Sequence, residues 1–168
     1  MIQKYPGLFM KKLFLLFTIL YTSFAFAGAS CKSYNERAFN VVIKNNTGET
    51  CTLIAHTLNN GFYSDENKLP MTIPDKKQSQ PLQLYIPSYV LIWLLAANIE
   101  LSYQCGNDKF VTIESQKERS PGDSLLGINS VITITGSILS LSNMDAKYSY
   151  IRGSCEKNQS STIYWTFY

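Results

Sequence analysis

The chain is poor in the residues from which most active sites are built. Its 168 residues include one histidine, His56. Acid–base and nucleophilic catalysis commonly rely on a histidine beside a serine or cysteine, and no G-x-S-x-G elbow frames any serine here. The four cysteines are far apart, so the C-x-x-C pairs of a zinc site are missing. Acids are scattered, at Asp65-Glu66, Asp108, Glu114, Glu118, Asp123 and Asp145. No glycine loop of the phosphate-binding type occurs. Beyond the first thirty residues the only basic pair is Lys76-Lys77, which leaves no electrostatic footprint for nucleic acid. These absences nominate no catalytic residue, no metal ligand and no cofactor, and they argue against most enzymes.

The first residues carry the parts of a secretory signal. Lys11 and Lys12 precede an apolar run from Leu13 to Leu20, and Ala25-Phe26-Ala27 supplies a small-residue cleavage site. The run softens into Thr22 and Ser23 and has no basic stop behind it, unlike a membrane anchor. The expected division is therefore a signal peptide over 1–27 and a single domain over 28–168. Met10-Lys11-Lys12 also resembles a start, which would make residues 1–9 an upstream extension. Gly28 stands where a lipobox wants a branched apolar residue before Cys31, so lipidation is disfavoured.

Removing residues 1–27 takes away Lys4, Lys11 and Lys12 and no acid. That leaves 15 − 3 = 12 basic against 12 acidic side chains, a neutral domain. Cys31, Cys51, Cys105 and Cys155 all remain. An even count in an exported chain reads as two disulfides in an oxidising compartment, secreted or periplasmic. Three pairings are open to four cysteines; the preferred one is Cys31–Cys51 with Cys105–Cys155.

Turn residues recur every 8 to 15 positions between short β-branched and aromatic runs, the pattern of a sandwich or barrel. Phe39, Val41 and Ile43 alternate with Asn40, Val42 and Lys44. Asn45 to Gly48 then turns the chain into a return strand from Cys51 to Leu58, read as the first hairpin. Pro70 puts the run Leu69 to Ile73 at an edge. Leu82 to Ile86 is another strand. Ile99 to Cys105, turning at Gly106-Asn107-Asp108 into Phe110 to Glu114, is the clearest hairpin. Gln116 to Ser130 reads as a polar loop. Further strands are expected at Val131–Thr135, Ile138–Leu141, Ala146–Ile151 and Thr162–Phe167. The fold class expected is all-β: an antiparallel two-sheet β-sandwich of eight or nine strands with two disulfides. An outer-membrane barrel fits less well, since most runs fall short of the 9–11 residues that such strands need.

Three features stand out from this frame. Val90 to Ala97 is an uninterrupted apolar run, too short to span a bilayer. Buried, it is a core strand; exposed, it is an interaction surface, with Tyr85, Tyr89 and Trp93 as candidate binding residues suited to a lipid or partner interface. Late tyrosines and a tryptophan, Tyr148, Tyr150, Tyr164, Trp165 and Tyr168, suit either cross-strand packing or a carbohydrate-stacking platform. Glu100 and Glu114 fall on opposite arms of the clearest hairpin, as a glycosidase pair or as two exposed strand acids.

Asn45-Asn46-Thr47 leading to Cys51-Thr52-Leu53, then Tyr103-Gln104-Cys105, Ser154-Cys155 and Ile163-Tyr164-Trp165-Thr166, resembles small exported proteins of Legionella-like bacteria. The opening Phe39-Asn40-Val41-Val42-Ile43-Lys44-Asn45-Asn46, with Gly61 and Ile73-Pro74, resembles the start of aegerolysins, β-sandwich proteins related in shape to actinoporins. That resemblance implies a sandwich fold and, for some members, membrane-lipid binding. It transfers no lipid-binding residue, because the match fades after Pro74. The leading expectation is a secreted, non-catalytic β-sandwich that binds a lipid or glycan surface. A secreted hydrolase of unrecognised type and a partner-binding protein of the periplasm or envelope are the alternatives.

Overall fold

The computed structural model describes residues 37–86, 95–120, 131–154, 157 and 159–168. Its strands are β1 (Ala38–Asn45), β2 (Cys51–Asn60), β3 (Phe62–Tyr63), β4 (Thr72–Ile73), β5 (Leu82–Tyr85), β6 (Leu95–Cys105), β7 (Lys109–Ser120), β8 (Val131–Ser142), β9 (Ala146–Ile151) and β10 (Ser161–Phe167). They form two five-stranded sheets, β3-β5-β1-β10-β9 and β4-β2-β6-β7-β8. The all-β, two-sheet expectation holds, with ten described strands rather than eight or nine.

The sheets meet through alternating side chains. Phe39, Val41 and Ile43 of β1 and Ile163, Trp165 and Phe167 of β10 face Leu101 and Tyr103 of β6 and Val111 and Ile113 of β7 in one core. Burying each such side chain contributes about 1.5–3 kcal/mol. Buried polar links cross between the layers, two of them through β7. Trp165 Nε1 donates to Ser115 Oγ at 2.8 Å, and Lys117 Nζ donates to the Ala38 carbonyl at 2.9 Å. Tyr103 packs edge-on against Phe167 and donates its hydroxyl to the Pro70 carbonyl. Burial pushes its phenol well above the usual tyrosine range.

Several expectations change. β1 and β2 do not form a hairpin: the Asn45–Gly48 turn carries the chain from one sheet to the other. The sandwich is not antiparallel throughout, since β1 pairs in parallel with β10, Val41 opposite Ile163 and Ile43 opposite Trp165. The stretch Gln116–Ser120, expected in a loop, completes β7. The two short strands expected at 131–141 are one, β8, with Gly136 inside it.

The cysteine pairing also differs. Cys51 and Cys105 stand directly opposite in the β2–β6 ladder and are joined by a buried disulfide. This excludes Cys31–Cys51 and Cys105–Cys155, because proximity across the sheet outweighs proximity along the chain. One disulfide is seen rather than two; Cys31 and Cys155 lie outside the described residues.

Asn59-Asn60-Gly61 carries the chain from β2 in the second sheet to β3 in the first, with Gly61 at φ +90°. A Cβ there would sit 2.8 Å from the Tyr85 carbonyl oxygen, so only glycine fits without a shift. Gly106, at φ +64°, opens the β6–β7 turn.

Candidate functional site

Strands β8 and β9 are the outer strands of their respective sheets and follow one another in the chain. Asn143, at φ +55°, makes the corner between them, and its Nδ2 donates to the Asp108 carbonyl. Asp145 and Tyr168 exchange backbone hydrogen bonds of 3.1 and 2.8 Å, tying the start of β9 to the end of β10.

Alternation on these two strands produces an unusual result. In an antiparallel ladder, directly opposed residues share a face. Leu141 opposes Val111 and Ile138 opposes Ile113; Tyr148 opposes Trp165 and Tyr150 opposes Ile163. All four partners are buried, so Leu141, Ile138, Tyr148 and Tyr150 lie on the core-facing sides of the sheets. They are nonetheless 43–44% exposed. The inter-sheet space therefore opens to solvent along this flank. Leu139 is the extra residue at a register shift opposite Thr112 and Ile113 and is 50% exposed; Ile151, 42% exposed, opposes Thr162 and so projects from the other face of β9. These six make up the larger part of the exposed large apolar side chains among the described residues.

Gly136 sets how closely the two strands approach. A Cβ on it would stand 2.7 Å from Trp165 Cζ2 and 2.9 Å from the Tyr148 ring, so the rings lie almost on the β8 backbone. The Tyr148 and Trp165 rings are 5.2 Å apart. β8 contains no charged residue over its twelve positions. Charge is supplied at the rim by Lys147, which pairs with Asp145 at 3.7 Å and lies 5.5 Å from the centre of the Tyr168 ring, and by exposed Arg152.

Of the residues nominated from sequence, Tyr85 lies on β5, half-buried. Its ring stacks on Phe62 with centroids 5.6 Å apart, and its hydroxyl donates to Gln83 Oε1. Tyr89 and Trp93 fall outside the described residues, and of the apolar run only Leu95–Ala97 is described, as the start of β6. The late aromatics divide: Trp165 is core, while Tyr148 and Tyr150 line the open flank. The aliphatic half of the flank was not anticipated. Its sequence signal is the charge-free run from Val131 to Ser142. His56 Nδ1 lies 3.2 Å from the Tyr63 hydroxyl, and Tyr63 is held above the usual phenol range by burial and then by the Glu66 charge.

No protein-family model matches the sequence, and no curated protein sequence matches it. Among solved structures, the chain is similar to the lipid binding protein Nakanori, with a TM-score of 0.52, 9% identity, and coverage of 79% of this chain and 71% of that one. At that identity the likeness concerns the fold: a two-sheet all-β architecture that this chain shares with a lipid-binding protein.

Proposed function

We propose that the chain is an exported, non-catalytic β-sandwich that binds a lipid surface through the β8–β9 flank. The observation that carries this is the open flank itself: five large apolar side chains, Ile138, Leu139, Leu141, Tyr148 and Tyr150, held half-exposed on two edge strands, one of them free of charge. A contiguous exposed apolar patch marks an interaction surface. Tyr148 and Tyr150 suit the headgroup region, where a ring buries its body and keeps its hydroxyl wet. Lys147 and Arg152 at the rim suit the phosphate level. Withdrawing the remaining apolar area from water would supply on the order of 5 kcal/mol, enough for reversible attachment. The shared fold with a lipid-binding protein supports the reading, as does a disulfide of the kind formed in oxidising compartments.

The test is cosedimentation with phosphatidylcholine vesicles, plain and doped with an anionic lipid. The folded protein is expected to pellet with at least one of them, and Leu139→Asp with Tyr150→Asp to abolish pelleting at an unchanged melting temperature. A folded wild-type protein that stays in the supernatant with both would remove the reading.

A glycan reading is favoured by one separate observation. On the outer face of the first sheet, the stacked Phe62–Tyr85 pair stands beside a row in which Gln83 and Thr162 flank Asn40. Saccharide stacking there would be lost in Phe62→Ala on a printed glycan array, with vesicle binding intact.

A further inference from the structure

We propose that β8 is the seam of a two-fold dimer, in which it pairs antiparallel with β8 of a second copy and closes the β8–β9 flank between them. A strand at the edge of a sheet offers a row of unpaired backbone N–H and C=O groups, and folded proteins guard such edges with short strands, proline, charge or bulges. Three of the four outer strands here are guarded in these ways. β3 and β4 are two residues long, and β4 lies between Pro70 and Pro74. β9 has six residues and carries Lys147. The part of β2 that β4 leaves uncovered is broken by register shifts at Leu53–Ala55 and Leu58–Asn60. β8 is different. It has twelve residues, none charged and none proline, and its one paired neighbour among the described residues is β7. Its register shift falls at Leu139, so the stretch from Val131 to Ile138 runs without a break.

Symmetry selects a second copy as the occupant. In a two-fold contact a strand meets itself run backwards, so a charge near the axis meets its like and repels it. β8 has no charge to oppose. Opposed residues in an antiparallel ladder share a face, so the axis must pass through a residue. Centred on Thr135, the unbroken stretch pairs with itself: Thr135 opposes its own counterpart, Thr133 opposes Ser137, and Ile132 opposes Ile138. Thr133, Thr135 and Ser137 are exposed, and Thr–Thr and Thr–Ser pairs across strands are favourable. The flank adds apolar area on the inner side. Ile138, Leu139, Leu141, Tyr148 and Tyr150 are half-exposed; they represent roughly 400 Å² per copy, about half of the ~800 Å² that each partner of a standard interface buries. The paired backbone and the hydroxyl row supply the remainder. The contact also closes on itself. It uses the open edge of both copies and leaves the guarded ones, so association stops at two. A second copy and a lipid surface take the same flank. The dimer carries the apolar side chains through water, and lipid displaces one copy; this last step alone rests on the lipid reading.

Sedimentation velocity of the oxidised protein at tens of micromolar, without lipid, tests the seam. The wild type is expected to sediment as a dimer. Thr135→Lys and Thr135→Glu each set like charges on the axis, and each should weaken self-association at least ten-fold. Mixed together they set Lys against Glu and should restore the dimer, which a damaged fold cannot imitate. Thr57→Lys, exposed on β2 towards the other side of the sheet, should dimerise as the wild type does. A monomeric wild type would overturn the proposal and leave the edge to lipid or to an extended peptide. Lys or Glu variants that dimerise alone as the wild type does, a mixture that stays monomeric, or association that runs past two copies would overturn it too. Cosedimentation of Thr135→Lys with plain phosphatidylcholine vesicles keeps the two readings apart. It is expected to pellet at lower lipid than the wild type. A dimer that neither form of the protein leaves for vesicles would remove the lipid reading and keep the seam.

Discussion

Two of the corners at which the chain passes between sheets are of contrasting construction. The first, from β1 to β2, is sealed. Asn45 is fully buried there; its Nδ2 donates to the carbonyls of Glu49 and Ile73, and its Oδ1 accepts from the Thr47 amide and hydroxyl. Lys109 reaches across to the Thr47 carbonyl and Glu49, and the Cys51–Cys105 disulfide lies immediately behind. The second corner, from β8 to β9, has Asn143, the Asp145–Tyr168 backbone pair and a surface ion pair. Its inward-facing residues remain wet. The same alternation yields a closed core at one corner and an open apolar flank at the other. The difference is in how many polar groups and covalent links hold each corner shut. Stability is concentrated at the sealed corner, and a surface capable of binding is left at the open one.

Removing the disulfide is the strongest way to break this contrast. Cys51 and Cys105 are 54 residues apart, and releasing a loop of that size is expected to cost about 4 kcal/mol. A Cys51→Ala/Cys105→Ala protein should show this in urea unfolding. Asn45→Ala comes next. It removes the Asn45 partner of the Ile73 carbonyl and of the Thr47 amide in a buried site, for an expected loss of about 3 kcal/mol, read as a lower urea midpoint. Gly136→Ala acts on the open corner. Its methyl must push the Trp165 and Tyr148 rings aside, with an expected cost of about 2 kcal/mol. A shift in tryptophan fluorescence should accompany it. If Asn45→Ala proved no more damaging than an exposed substitution such as Leu139→Ser, the division into sealed and open corners would fail.

Local signals were well conserved between sequence and structure. Alternation at Phe39–Ile43 and the Gly106-Asn107-Asp108 turn lead directly to β1 and the β6–β7 hairpin, because each depends on neighbours in the chain. What escaped the sequence reading depends on distant residues. Asn45–Gly48 has hairpin chemistry, yet the partners of β1 are Leu82–Tyr85 and Ser161–Phe167, which no turn signal reveals. Lys117 looks like a surface lysine and is buried because the Ala38 carbonyl meets it. Gly136 looks like a break between strands, whereas its missing side chain makes room for Trp165. The flank was half legible: its tyrosines stood out as aromatics, while its aliphatics became notable only once β8 was placed at an edge. Glu100 and Glu114 were legible as residues on opposite arms of one hairpin, and the ladder sets them directly opposite.

The parallel pairing of β1 with β10 bears on how the molecule comes into being. Asn40 and Thr162, side by side in that ladder, are 122 positions apart, and β10 is the strand through which β9 joins the first sheet. Closing so long a span precedes any reward from the contacts it makes, which slows assembly. Until residues 161–167 have been synthesised, β1 has only the short β5 beside it. A chain built in this way commits to its final shape only after its last strand has been made.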